Sequence, residues 1–167
     1  MHVKIDVSEN VRFIEKDSIL GVATENKCYK KNVCLYPRVK RRIHKYVNKS
    51  DKIHSIMVYH LIKEDIRLYS KVHICSDVSR NKLINDLRKL FKNNGYWINL
   101  EKSGSIEVYP VKKAYVHEYA NHVRKGREAK GEELDLETMN DYLRIFSDYE
   151  ANQKRKERKV VTNPFGK

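Results

Sequence analysis

At Pro37 the apolar pattern of this 167-residue chain changes period, and that change sets the order of its elements. Before it, apolar and polar residues alternate. Residues 2–7 (His2-Val3-Lys4-Ile5-Asp6-Val7) repeat with a period of two, and residues 11–15, 19–24 and 32–36 follow after polar breaks, the pattern of short strands with one buried face. After it, Val39, Ile43, Tyr46 and Val47 recur at helical spacing. Proline suits the first turn of a helix, where its missing N–H would have no partner anyway. A meander of short strands therefore precedes a helix, and the helix begins at Pro37.

The rest of the chain alternates strand and helix. Ser50 or Asp51 can cap a helix with Ile53, Ile56, Met57, His60 and Leu61 on its apolar positions. Residues 71–76 read as a buried strand. Ser79 stands at the N-cap of the clearest helix, with Leu83, Ile84, Leu87, Leu90 and Phe91 on one stripe and Gly95 beyond its end. Residues 98–100 and 105–109 are expected as a hairpin or a single strand, and residues 112–125 as a helix. A charged loop at 126–131 follows, then a last helix starting at Asp135 or Glu137 and running through Met139, Tyr142, Leu143 and Phe146. Helices over a mixed sheet result, an α/β fold. Residues 1–150 form one domain on this reading, and residues 151–167 form a basic, flexible tail.

Charge narrows the function. Between Glu25 and Asp51 lie nine Lys or Arg residues and His44, with no carboxylate, in a chain of net charge +13. Such a patch attracts a polyanion by neutralising phosphates and releasing counterions. Nucleic acid is the leading partner, with Arg38, Lys40, Arg41, Arg42 and Lys45 on phosphates and Tyr36 or Tyr46 stacking on a base. The alternative interaction partner is an acidic protein. Lys154, Arg155, Lys156, Arg158 and Lys159 make a second basic cluster, read as a solvated tail.

Several classes fall away. No apolar run approaches the ~20 residues that span a bilayer, and residues 1–7 lack a signal-peptide core, so an intracellular, cytoplasmic protein without membrane contact is expected. Cys28, Cys34 and Cys75 are odd in number and lack CxxC spacing, which indicates neither a disulfide framework nor a zinc cage. His117 and His122 are five apart where a zinc-protease helix needs four. Tyr115 and Tyr119, one helical turn apart, are read as packing residues rather than paired nucleophiles, and no Gly-rich phosphate loop is present.

With Asp6 on the first strand and Asp77 just after the strand at 71–76, the element order resembles the ribonuclease H-like fold. In that family an Asp on the first strand, a Glu on the first helix and an Asp at the end of the fourth strand gather two divalent metals for phosphodiester cleavage. The resemblance implies a metal-dependent nuclease, with Asp6 and Asp77 on magnesium or manganese and Glu64 as the third catalytic carboxylate. For a protein that only binds, no cofactor is expected.

Overall fold

The computed structural model describes residues 1–8, 13–44, 50–76, 78–110 and 115–162, side chains included except for His44 and residues 156–162. Its centre is a mixed six-stranded sheet in the order β5-β4-β1-β2-β3-β6. The strands are β1 (His2–Val7), β2 (Ser18–Ala23), β3 (Lys30–Leu35), β4 (Lys71–Ile74), β5 (Ile106–Val108) and the two-residue β6 (Glu132–Glu133). β1, β2 and β3 form the expected antiparallel meander, while β4 lies parallel to β1, β5 parallel to β4 and β6 parallel to β3.

Alternation along the strands divides the side chains between two layers. Val3, Ile5, Leu20, Val22, Val33, Leu35, Val72 and Ile74 point to the main core. There they meet Ile53, Ile56 and Met57 of helix α2 (Ser50–Ile62), which is itself covered by α3 (Arg80–Phe91). Being enclosed from both sides, α2 buries residues all round, His54, Ser55 and His60 among them. Each fully buried aliphatic side chain contributes about 1.5–3 kcal/mol. On the opposite face Ile19 and Cys34 pack against Tyr119, Ala120 and Val123 of helix α5 (Tyr115–Arg124). The close approach of α5 requires Gly21, whose missing Cβ would stand 3.1 Å from Tyr119 Cδ1.

Several expectations need correction. The pattern at 11–15 does not make a strand. Phe13 is exposed and residues 14–16 turn, with the Lys16 N–H donating to the Phe13 carbonyl, while residues 11–12 lie outside the described residues. Residues 98–100 belong to helix α4 (Gly95–Lys102) instead of a strand. The Asn94 side chain accepts from the Trp97 N–H at 3.1 Å and caps this helix, so Gly95, which lies beyond the end of α3 as expected, also opens α4. Trp97 then stacks on Phe91, ring centroids 4.7 Å apart. Ser79 stands at the N-cap of α3 without a side-chain capping bond. Helix α1 spans Pro37–His44, as the proline suggested.

Helix α6 (Leu136–Thr162) starts where Asp135 Oδ1 accepts the Thr138 N–H at 2.8 Å. Its 27 residues extend roughly 40 Å. The first half packs on α1 and α3, while residues 147–155 are exposed. Much of the stretch read as a tail is therefore helix through Thr162, and residues 163–167 lie outside the described residues. Among the described residues no helix is long and apolar enough to cross a membrane.

Candidate nucleic-acid interface

Helix α1 sorts its basic residues by face. Val39, Lys40 and Ile43 turn inward, and Arg38, Arg41 and Arg42 turn to solvent. Lys40 is the main correction to the expected phosphate contacts: its residue is 0% exposed. Its ammonium donates to the carbonyls of Phe13 at 3.0 Å and Lys16 at 2.6 Å and to Ser18 Oγ at 2.7 Å. A charge enclosed in this way serves the turn at 13–16 and cannot reach a ligand. Lys45 and Tyr46 lie outside the described residues.

The absence of acids along the sequence around α1 does not carry over into space. Arg38 Nε donates to Glu133 Oε1 at 3.2 Å, and that hydrogen bond and charge hold the guanidinium above its ordinary pKa. Arg41 Nη1 donates to Glu15 Oε2 at 2.7 Å. Arg42 has no ion-pair partner among the described residues. Tyr36, the expected stacking residue, is half-buried, with the Arg38 guanidinium 5.7 Å and the Lys130 ammonium 4.8 Å from its ring centroid. Burial raises its hydroxyl above the ordinary tyrosine value. The outer face of α1 thus carries three exposed arginines, two of them partly balanced: Arg41 by an exposed pair to Glu15, which is weak and easily exchanged, and Arg38 by two bonds to the half-buried Glu133.

Of the three carboxylates expected at a metal site, the two that are described, Asp6 and Glu64, do not come together. Asp6 pairs in register with Gly21, on the α5 side of the sheet. Glu64 lies in the turn beyond the end of α2 and reaches out to Lys31 Nζ at 3.5 Å, with its side chain 66% exposed. Lys31 shares a face of β3 with Val33 and Leu35, the α2 side, so Asp6 and Glu64 sit on opposite faces. Helix α2 ends at Ile62, two residues before Glu64. Asp77 lies outside the described residues. β1, which carries Asp6, and β4 are neighbours, with Ile5 opposite Ile74 and the Cys75 N–H donating to the Ile5 carbonyl at 2.8 Å. Among the described residues no group of three or more His, Cys, Asp or Glu is placed to hold a metal ion.

Asp6 does have a chemical partner that sequence spacing did not suggest. Its Oδ2 is 3.1 Å from His117 Nδ1, and its Oδ1 accepts the Val7 N–H at 2.8 Å. The carboxylate is nearly buried and the imidazole is 44% exposed. In a neutral imidazole, donation from Nδ1–H to Asp6 leaves Nε2 as the acceptor. This pair stands at the carboxyl end of β1 beside β4. Ligands of sheets with parallel strands collect at such ends. His117 was weighed only against His122, five residues on; its partner is 111 positions earlier, and only the docking of α5 on β1 joins them. Tyr119, in the same helix, is buried with its hydroxyl accepting from Asn32 Nδ2 at 2.7 Å, a packing role.

No protein-family model matches the chain, and neither the curated proteins nor the solved structures provide a match.

Proposed function

We propose that this chain binds nucleic acid through phosphate contacts on the outer face of α1. The observation that carries the reading is the outward set of Arg38, Arg41 and Arg42 on a helix anchored from within by Val39, Lys40 and Ile43, in a chain of net charge +13. A rigid row of guanidinium groups suits phosphate oxygens, which accept their paired N–H donors. The pair to Glu15 exchanges for phosphate at little cost because both side chains are exposed, and the pair to the half-buried Glu133 exchanges at a higher cost. The test compares Arg41→Glu with Arg42→Glu against Lys102→Glu with Lys125→Glu, two exposed lysines away from α1 that give the same change in net charge. The α1 pair weakens binding to an oligonucleotide and lowers the salt slope by about 2, while the control pair has a small effect. Equal losses from both would remove the binding site from α1.

A second reading, a metal-dependent nuclease of ribonuclease H-like type, is favoured by the Asp6–His117 pair at the carboxyl end of β1. Carboxylate oxygen and imidazole nitrogen are divalent-metal donors, but with Glu64 on the other face the described residues alone do not complete a site. What these side chains supply on their own is a carboxylate that orients an imidazole whose Nε2 can take a proton. On this reading, oligonucleotide cleavage with magnesium or manganese is lost in Asp6→Asn and in His117→Ala while binding persists. Cleavage that survives in both variants would remove the pair from the chemistry, and absence of cleavage by the unaltered protein would leave the binding reading alone.

A further inference from the structure

The side of the molecule formed by α3 and α6 has its own recess. The last turns of α3 and the middle of α6 enclose an open groove of about 900 Å³. Lys92, Asn93 and Arg88 line it from the α3 side, and Tyr149, Asn152 and Asp148 from α6. Each has a different degree of commitment. Arg88 donates to Glu101 at 2.6 Å and to Asn85 at 2.9 Å, so its charge is already balanced. Lys89 also lines the groove, 3.6 Å from Asp86 and with its ammonium over the rings of Phe146 and Tyr149. Lys92 has no ion-pair partner, and the side chains of Asn93 and Asn152 have no hydrogen-bond partner, among the described residues. Tyr149 is exposed at 43%, its hydroxyl accepting from Gln153 Nε2 at 3.1 Å.

Lys92 also occupies an uncomfortable backbone position. Its φ is +49° at the C-cap of α3, where a side chain is disfavoured and glycine is at ease. The conformation turns the chain sharply between α3 and α4 and sets this lysine at the groove. Strain of this kind points from an observed outlier to a functional hypothesis. Beyond the groove, α6 continues with exposed Lys154 and Arg155.

We propose that this groove holds an unpaired nucleic-acid strand, with a base stacked on Tyr149, a phosphate on Lys92, and Asn93 and Asn152 facing base edges. Three features select that occupant. The free cation and the cationic helix beyond it complement a phosphodiester chain, with Asp148 the one acid among the described wall residues. A solvent-facing ring offers a platform to any base. Asparagine amides both donate and accept, as base edges require. A duplex keeps its bases stacked on each other and cannot offer one to Tyr149. The proposal rests on the nucleic-acid reading above but concerns a different surface and adds a preference for single strands.

The experiment measures binding of a fluorescent single-stranded oligonucleotide and its duplex to the full chain and to Tyr149→Ala, Tyr149→Phe and Lys92→Gly, with thermal unfolding of each. Tyr149→Ala weakens single-strand binding about tenfold and duplex binding much less, whereas Tyr149→Phe keeps the ring and the affinity. Lys92→Gly removes the cation and relaxes the backbone, so single-strand affinity falls and its salt slope drops by about 0.7 while the melting temperature holds or rises. Unaltered single-strand affinity in both Tyr149→Ala and Lys92→Gly overturns the groove and leaves α1 untouched. Equal losses on single strand and duplex overturn the stacking. An unaltered protein that binds neither oligonucleotide overturns this proposal and the nucleic-acid reading together.

Discussion

Replacing Lys40 by methionine separates a structural lysine from a ligand-binding one. The new side chain keeps an unbranched stem of similar length but cannot donate. Three acceptors then lose the ammonium: the carbonyls of Phe13 and Lys16 and the hydroxyl of Ser18, a residue that is 0% exposed. A hydrogen bond to a charged group is worth about 1.5–3 kcal/mol, and three that share one donor are not additive. Removing the cost of burying a charge offsets part of the loss. A net destabilisation of about 3 kcal/mol follows, which for a chain of this size lowers the melting temperature by about 6–12 °C. Most domains are stable by about 5–15 kcal/mol, so the variant still folds. Circular dichroism during heating measures the shift, and oligonucleotide affinity at a temperature where the variant is folded measures the function. The expected result is a lowered transition with binding retained. Loss of binding at an unchanged melting temperature would refute the buried placement of Lys40 and return it to the phosphate contacts.

Three further outcomes are expected. Burial lowers the pKa of both His60 and His73 below the ordinary 6.5. The unfolded chain then takes up protons first as pH falls, so their contribution is complete above about 6.5 and is lost below it; urea midpoints that stay level between pH 7.5 and 5 would contradict this. At the other end of the scale, burial raises Tyr29 to about 12 and also raises its partner Tyr69, whose hydroxyl is 2.7 Å away. Stability from this pair falls as pH rises above 10, and absorbance at the tyrosinate band should show these groups ionising only with unfolding. Gly131→Ala places a Cβ 2.1 Å from the Asn32 carbonyl oxygen, where the Gly131 N–H also donates to Asn32 Oδ1 at 2.7 Å. It should destabilise by about 2–4 kcal/mol and speed amide exchange in β6, whereas a fully stable variant would show that the loop at 126–131 can move aside.

The periodic elements were legible because each depends on residues close in sequence. The strand at 2–7, the Pro37 helix and the Leu83–Phe91 stripe needed only alternation, a proline and 3.6-residue spacing. Most of the failures involve partners brought from a distance. Residues 11–15 alternate like a strand, yet the adjoining turn is held by Lys40, 27 positions after Phe13. The cap at Asn94 is local, through the Trp97 N–H three residues on, but Gly95 beside it reads more simply as a helix stop. The basic patch looked uniform because sequence hides Glu133, 95 positions from Arg38 and nonetheless its hydrogen-bond partner. For the same reason Asp6 was matched to carboxylates by family pattern, while its described partner is a histidine on α5. Charge excess is visible in composition; which charges are exposed, paired or buried is a property of the fold.

The most direct test of the account is a salt titration of oligonucleotide affinity for the unaltered chain and for Arg41→Glu with Arg42→Glu. Phosphate contacts from the three outward arginines and their neighbours predict a logarithm of affinity that falls linearly with the logarithm of salt, with a slope of about −3 to −5. The double variant should give a shallower line and weaker binding at every salt concentration. A flat line for the unaltered chain, or coincident lines for the two proteins, would contradict binding through α1.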